Sequence, residues 1–373
     1  MSVLQGEVRT WTDQSGRTVD AELIGFQSEE IQIRRLEDGQ VFTLPIKRLS
    51  SEDQEYLETV SDDWLDVPPP EPRKPFTGLE WPRRVGLPDN YDVIVIREDN
   101  QRKEYIYRTP NFEFRSDVKL ARKVVREFGK IFEATYAAMK AFPLEWNPEP
   151  VGGHYVTRLF ETTEDYYKAG GIINSGGTYR PSKREILTPL TSLGVEKSSS
   201  GYTLDRSQDS ATLIHEITHQ VHHDWLAQLR PWLTEGMAVY MESVPLERSV
   251  FRFDKRDVEE FVFRRSYVKE SFHLVPLEKL MAMTLQEWNQ NFVSNQGDLG
   301  RYYISAFLLV NYFLHHDGEG KGRRIYKYCR EIESGISESE ARKFLLGGRS
   351  YEALFKEMKA AYKREGIELI NGY

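Results

Sequence analysis

Two histidines four positions apart carry the first chemical signal in this chain: His215 and His219, in the run Ala211-Thr212-Leu213-Ile214-His215-Glu216-Ile217-Thr218-His219-Gln220-Val221. The pattern predicts a helix whose start is capped by Asp209 or Ser210. Four residues along an α-helix turn through about 400°, so both imidazoles project from one face, one turn apart. That spacing suits two corners of a tetrahedral zinc site, where each Zn–N bond is ~2.0–2.1 Å. Glu216, rotated by ~100° from His215, can reach a metal-bound water rather than the metal.

Two imidazoles are not enough, because a zinc site needs at least three protein ligands. A third histidine at position 225, with glycine at 222, would extend the motif along the chain, but those positions are Trp225 and His222. The other route is a carboxylate from a second helix. Pro231-Trp232-Leu233-Thr234-Glu235-Gly236-Met237-Ala238-Val239-Tyr240 offers one. Pro231 suits a first helical turn. Glu235 follows His219 by sixteen positions, enough to end one helix, turn and return antiparallel. Gly236 lets the two helices approach closely around the metal. One zinc ion per chain is expected. Zinc lowers the pKa of its bound water from about 15.7 towards ~7, which makes hydroxide available at neutral pH.

H-E-x-x-H followed by W-L-x-E-G-x-A-x-Y resembles the gluzincin metallopeptidases, the class holding thermolysin and aminopeptidase N. The likeness is greatest to bacterial peptidase-MA-like proteins with a Leu-Ile-His-Glu-Ile-Thr-His core. It spans residues from about 89 to 320, most strongly 209–242. The resemblance implies that His215, His219 and Glu235 bind zinc and that Glu216 is the catalytic base. It also implies a Tyr or His from a later helix as donor to the tetrahedral oxyanion. Arg301-Tyr302-Tyr303-Ile304-Ser305-Ala306 supplies the candidates, and Tyr302-x-x-Ser305 matches the aminopeptidase-like Tyr-x-x-Gly better than Tyr303 does.

Two departures shape the expectation. Thermolysin-like enzymes orient a zinc-bound histidine with an Asp four residues after the ligand Glu, where this chain has Val239. The partner that fixes the imidazole tautomer is therefore unassigned. No Gly-Ala-Met-Glu-Asn segment stands upstream, which favours an endopeptidase over an aminopeptidase. The implied substrate is a polypeptide or glycoprotein, and the implied setting is secreted or periplasmic. The alternative is a gluzincin fold that keeps its zinc and serves peptide or surface attachment without catalysis.

Other residues tempt less. His222 and His223 read as supporting or solvent-facing, and Glu242, one heptad after Glu235, as a solvated or supporting acid. His315-His316 ends an apolar helix and complements its C-terminal dipole. Gly170-Gly171 and Gly176-Gly177, around Ile172-Ile173-Asn174-Ser175, lack the Lys-Ser/Thr of a phosphate loop. They suggest a flexible hairpin beside the cleft, followed by a strand at 184–189 that can pair with an extended substrate.

The positioning elements divide the chain in three. Residues 5–60 show five short strand-like runs and the hairpin signal Asp38-Gly39, then a helix capped at Ser50/Ser51, which suggests an SH3-like barrel. Arg9-Thr10-Trp11-Thr12, Gly16, Val19-x-Ala21, Ile24-Gly25 and Leu49-Ser50-x-x-Asp53-x-x-Tyr56 resemble the Sla-homology domain of the first type. That likeness implies a peptide or cell-surface partner for the module. Residues 61–88 read as a Pro-rich spacer with Trp64 and Trp81 at its ends. Residues 89–373 form an α+β domain of thermolysin/gluzincin type, strand-rich over 89–200 and helical over 207–373. Strands are expected at 91–96, 105–114, 155–160 and 185–190, with a long helix after Ser116.

Composition sets the outer limits. Lys plus Arg is 50 against 58 Asp plus Glu, a formal charge of −8. Residues 1–60 hold 6 basic and 12 acidic side chains, so −6 of that charge sits in the small module. Nucleic acid is disfavoured as a partner. Cys329 is the single cysteine, which excludes an internal disulfide framework and a Cys-based zinc site. No apolar run approaches the ~20 residues of a membrane span. The N-terminus, MSVLQGEVRTW, lacks the basic segment and apolar core of a signal peptide, so a cytoplasmic setting fits the sequence as well.

Overall fold

A computed structural model describes residues 8–27, 30–36, 40–59, 76–173, 175–199, 201–205, 210–226, 228–266, 271–294 and 299–372. The Asp38-Gly39 turn, Asp209, Trp64 and most of the Pro-rich segment lie outside these. The chain forms two compact units, residues 1–77 with 326–345, and residues 78–325 with 346–373. The architecture is mixed α+β, with a small N-terminal β-sheet module and a helical C-terminal region.

In the first unit, β1 (Val8–Thr12), β2 (Thr18–Gln27), β3 (Glu30–Arg35) and β4 (Val41–Pro45) form an antiparallel sheet in sequence order. The described residues show four strands where five runs were expected, and the fifth contact is a bridge between Asp13 and Leu49. Alternation turns Trp11, Ala21, Leu23, Ile31 and Ile33 into one buried core with Leu49 and Leu57. Helix α1 (Ser51–Thr59) is fixed at its start by Asp53. That buried carboxylate accepts the Thr12 N–H at 2.6 Å and pairs with Arg9 at 2.8 Å, so the helix and first strand share one anchor.

In the second unit, β5 (Arg84–Val85) precedes a six-stranded sheet made of β6 (Ile94–Asp99), β7 (Glu104–Arg108), β8 (Phe112–Ser116), β9 (Tyr155–Phe160), β10 (Thr178–Arg180) and β11 (Glu185–Pro189). The spatial order is β10-β11-β9-β8-β7-β6. The run at 105–114 is two antiparallel strands instead of one, because Pro110 cannot donate to a ladder and turns the chain between them. Helix α2 (Arg122–Lys140) starts six residues beyond Ser116 and crosses from β8 to its parallel neighbour β9. Its Phe128 and Phe132 meet Phe114 edge-on at 5.2 and 4.9 Å, closing the aromatic core of that layer.

After α3 (Thr163–Lys168) and the strands, helices carry the chain: α4 (Ala211–Val221), α5 (His223–Leu226), α6 (Pro231–Ser243), α7 (Val258–Ser266), α8 (Leu277–Ala282), α9 (Leu285–Ser294) and α10 (Leu299–His315). α6 packs against both α4 and α10 and is buried along nearly its whole length. The close approach allowed by Gly236 is to α10, not to α4. A Cβ at Gly236 would stand 2.6 Å from the Ala306 carbonyl oxygen and 2.6 Å from Val310 Cγ2. Tyr240 ties the same two helices by a 2.9 Å hydrogen bond to His315 Nε2. His315 is thus a buried neutral ring instead of a dipole complement, since burial and the Arg256 charge hold its pKa well below the ordinary value. Among the described residues no helix is long and apolar enough to cross a membrane.

The Gly236 contact is with backbone, which cannot rotate away. Gly236→Ala is therefore expected to destabilise the chain by about 2 kcal/mol net, overpacking outweighing the ~1 kcal/mol that alanine gains in a helix. Denaturant unfolding checks this, and an unchanged or raised midpoint contradicts the close packing.

Candidate metal centre

α4 begins after Ser210, whose side chain makes no capping bond, so the expected cap at that residue is absent; the alternative cap, Asp209, lies outside the described residues. His215 and His219 do share a face, with Nε2 atoms 3.0 Å apart and ring planes at 80°. From α6, Glu235 brings Oε2 to 3.3 Å from each Nε2. Among the described residues, these three form the one group of His, Cys, Asp or Glu side chains arranged to hold a metal. His222 and His223 do not join it.

The donor set suits a tetrahedral divalent ion. Bonds of ~2.0–2.1 Å at tetrahedral angles put ligand atoms about 3.3–3.4 Å apart, close to the 3.0, 3.3 and 3.3 Å edges of this triangle. Glu235 Oε2 is buried and receives no well-formed hydrogen bond. Glu216, Glu235 and Glu242 all lie at this centre, so three carboxylates with two neutral imidazoles carry −3, which a divalent cation reduces to −1. Buried charge of that size requires a counter-charge. Without an ion, protons must serve. Burial opposes a charge on His215, yet its contacts with Glu235 and Glu242 prevail and hold its pKa well above the ordinary value. Burial likewise pushes the Glu235 carboxyl up, but the charge of His219 and the nearby His215 hold it far below the usual carboxylate range.

The partner of His215 is Glu242. Its Oε1 lies 2.6 Å from His215 Nδ1, with only 1% of the side chain exposed. A carboxylate there keeps the proton of a neutral ring on Nδ1 and leaves the Nε2 lone pair open to a cation. Of the two expectations for Glu242, a solvated or a supporting acid, its burial and its contact with His215 fit the second. Its seven-residue spacing from Glu235, two turns on one helix face, was the signal for this role. Val239, at the position where the resemblance expects an aspartate, is buried in the core.

Glu216 stands beside the triangle without belonging to it. Its Oε2 accepts the backbone N–H of Tyr179 at 2.7 Å. Burial raises its pKa, against the charges of His215 and His219 and the Tyr179 N–H, which lower it. Gly177 permits this approach, since a Cβ there would come within 3.3 Å of Glu216 Cγ. The glycine serves proximity here. The strand beside Glu216 is β10, at the open end of the sheet, while β11, which covers the expected pairing strand, has neighbours on both sides. Tyr179 also donates or accepts at 2.6 Å with His223 Nδ1. His222 stacks on Trp146 at 4.0 Å with neither ring nitrogen bonded, and burial pushes its pKa down to about 3.

The two candidate tyrosines of α10 separate. Tyr303 lines the cavity over the triangle, its ring 5.9 Å from that of His215. Burial and the carboxylates of Glu235 and Glu216 push its pKa far up, so the phenol stays protonated, and the Trp288 side chain hydrogen-bonds it. Tyr302, the better motif match, is buried against Trp288 and the Lys279 ammonium and does not line the cavity. Ser305 accepts the Val275 N–H at 3.0 Å and supports backbone.

Residues 5–64 match the family model of SLA1 homology domain 1, SHD1. The N-terminal module is an SHD1, a protein-interaction domain. No curated protein matches the chain.

Glu242→Ala is expected to weaken zinc binding 10–100-fold, read by competition with a chromophoric chelator. Proton linkage gives an independent check. Because His215 holds a proton above its ordinary pKa in the ion-free protein, zinc must displace it. Apparent affinity should fall about tenfold per pH unit as pH drops below that raised pKa, with release of about one proton at neutral pH. Calorimetry in two buffers of different ionisation enthalpy measures this, and zero proton release at pH near 7 contradicts it.

Proposed function

We propose that the protein is a zinc-dependent endopeptidase of gluzincin type, with His215, His219 and Glu235 as metal ligands and Glu216 as general base. The observation that carries this reading is the pairing of a three-donor triangle with a separate, buried carboxylate held by an edge strand. The H-E-x-x-H and W-L-x-E-G-x-A-x-Y segments and their resemblance to gluzincins support it.

A zinc ion at the triangle supplies Lewis acidity, polarising a carbonyl and acidifying water. The chain's own residues do the rest. Glu216 has Oε2 engaged by Tyr179, leaving Oε1 to take a proton from water and give it to the departing amide nitrogen. Its raised pKa suits both directions of that transfer. Tyr303, a permanent donor above the triangle, is the group placed to stabilise negative charge on the scissile carbonyl oxygen. Both backbone polar groups of one residue in an antiparallel strand point the same way, so the Tyr179 carbonyl faces away from β11 with its N–H. That edge can receive an extended peptide by strand addition. Among the described lining residues no Lys or Arg stands ready for a terminal carboxylate, which favours internal bonds.

Glu216→Gln should retain stoichiometric zinc and lose cleavage of unfolded protein substrates. Zinc retained with no cleavage by the unaltered chain, over a proteome-derived peptide library, favours a zinc-containing binding protein instead. Tyr303→Phe should lower kcat by about 10²–10³-fold, and Tyr302→Phe by less than about threefold, because its hydroxyl is outside the cavity. Equal losses from the two variants would count against the Tyr303 assignment.

A further inference from the structure

β10 is the shortest strand of the large sheet, and among the described residues only β11 pairs with it. Three residues in one ladder hold a strand weakly, so its side chains decide how steadily the Tyr179 N–H meets Glu216. Alternation divides those side chains between the two faces of the sheet. On one face, Thr178 meets the Tyr166 hydroxyl at 2.6 Å, while Arg180 donates to the Ala169 carbonyl at 2.8 Å and pairs with Glu185. Tyr179 takes the other face and reaches α5, its hydroxyl 2.6 Å from His223 Nδ1. Residue 179 is thus gripped at both ends by one stretch of chain. Glu216 accepts its N–H at 2.7 Å, and His223, seven positions after Glu216, meets its hydroxyl. That N–H faces away from β11, so Glu216 and not the ladder is its partner. Burial pushes the Tyr179 phenol up, and burial with the Arg184 charge pushes His223 down, so the proton stays on oxygen and a neutral ring accepts it. His223 is neither in the metal triangle nor among the described residues that line the cavity.

We propose that His223 is a positioning residue for the base: by holding the Tyr179 hydroxyl it fixes the rotation of β10, and with it the N–H that keeps Glu216 Oε2 engaged and Oε1 free. The effect on rate rests on the peptidase reading above, whereas the tie itself concerns only β10, α4 and α5. Without the hydroxyl contact, β10 can turn about its one ladder and Glu216 loses a fixed donor. The metal ligands come from α4 and α6 and do not depend on β10. Loss of the tie therefore separates the base from the metal, lowering kcat while zinc affinity stays.

Amide hydrogen exchange reads the tie without any substrate. In the full chain, zinc-loaded and labelled with nitrogen-15, the amide of residue 179 should exchange about tenfold faster in Tyr179→Phe and in His223→Phe than in the unaltered chain. The amides of Ile186 and Thr188, which face β9 from β11, should change by less than about threefold in the same variants. His223→Asn places an accepting oxygen near the position of Nδ1 and should return the rate at residue 179 to within about threefold of the unaltered chain. Zinc affinity should stay within about threefold throughout, and kcat should fall by about tenfold in Tyr179→Phe and His223→Phe. An unchanged rate at residue 179, a faster rate shared by Ile186 and Thr188, or no rescue by His223→Asn overturns the proposal. Tyr179→Phe removes a single oxygen, so the exchange test stands even if His223→Phe does not fold. If the exchange rates behave as expected while the unaltered chain cleaves nothing, the tie stands and the peptidase reading falls. If the chain cleaves and Tyr179→Phe leaves kcat unchanged, the peptidase reading stands and the positioning role falls.

Discussion

Gathering five ionisable side chains into one buried space is the constraint around which the larger unit is organised. His215, Glu216, His219, Glu235 and Glu242 come from two helices, and their charges are uncompensated unless protons or a cation enter. Such an arrangement survives only when packing elsewhere forces the helices together. Here α6 is buried along nearly its whole length and pressed onto α10 through Gly236, which leaves it little freedom to draw its carboxylates away from α4. The apolar contacts stabilise the fold, and the polar centre uses the rigidity they create.

Within that space, two glutamates nineteen positions apart are driven in opposite directions. Glu216 faces the strand edge, and its burial raises the carboxyl pKa. Glu235 faces two imidazoles, which hold its carboxyl down. Environments that separate the pKa values of neighbouring acids divide their labour: one stays a permanent anion, the other exchanges a proton. Tyr303 completes the set as a group whose burial among carboxylates keeps it protonated, so its hydroxyl retains a proton to donate.

Much of this was legible in the residues, for identifiable reasons. The spacing of His215 and His219 fixes their common face through helix geometry alone, and Pro231 marks the start of the helix that returns with Glu235. The N-terminal module showed itself through alternation and the Ser50-to-Asp53 cap. What stayed hidden depends on which helix lies behind which. Tyr302 and Tyr303 differ by a rotation of ~100°, and sequence periodicity cannot say which one meets a cavity when both sides of α10 are apolar. Gly236 announced a close approach, but the helix it admits is α10 and not the expected α4, since glycine marks closeness without fixing which neighbour comes near. The edge strand differs from the expected one because β10, only three residues long, carries too little pattern to be recognised, whereas β11 is five residues long and buried at every position.

Glu242 is the residue where an expected pattern and the physics diverge most usefully. An aspartate four positions beyond Glu235 reaches a neighbouring imidazole with a short side chain from the next helical turn. Glu242 stands seven positions on, about 10.5 Å along the axis and ~20° from the same face, and its extra methylene extends its reach. It meets His215 from the Nδ1 side, opposite the Nε2 that faces Glu235. One helix thus holds both nitrogens of a single imidazole, each with its own carboxylate. His219 has no such clamp, for its Nδ1 is buried without a partner. The two histidines are therefore inequivalent: carboxylates flank His215 on both sides and hold its pKa well above the ordinary value, so a cation that enters must displace its proton.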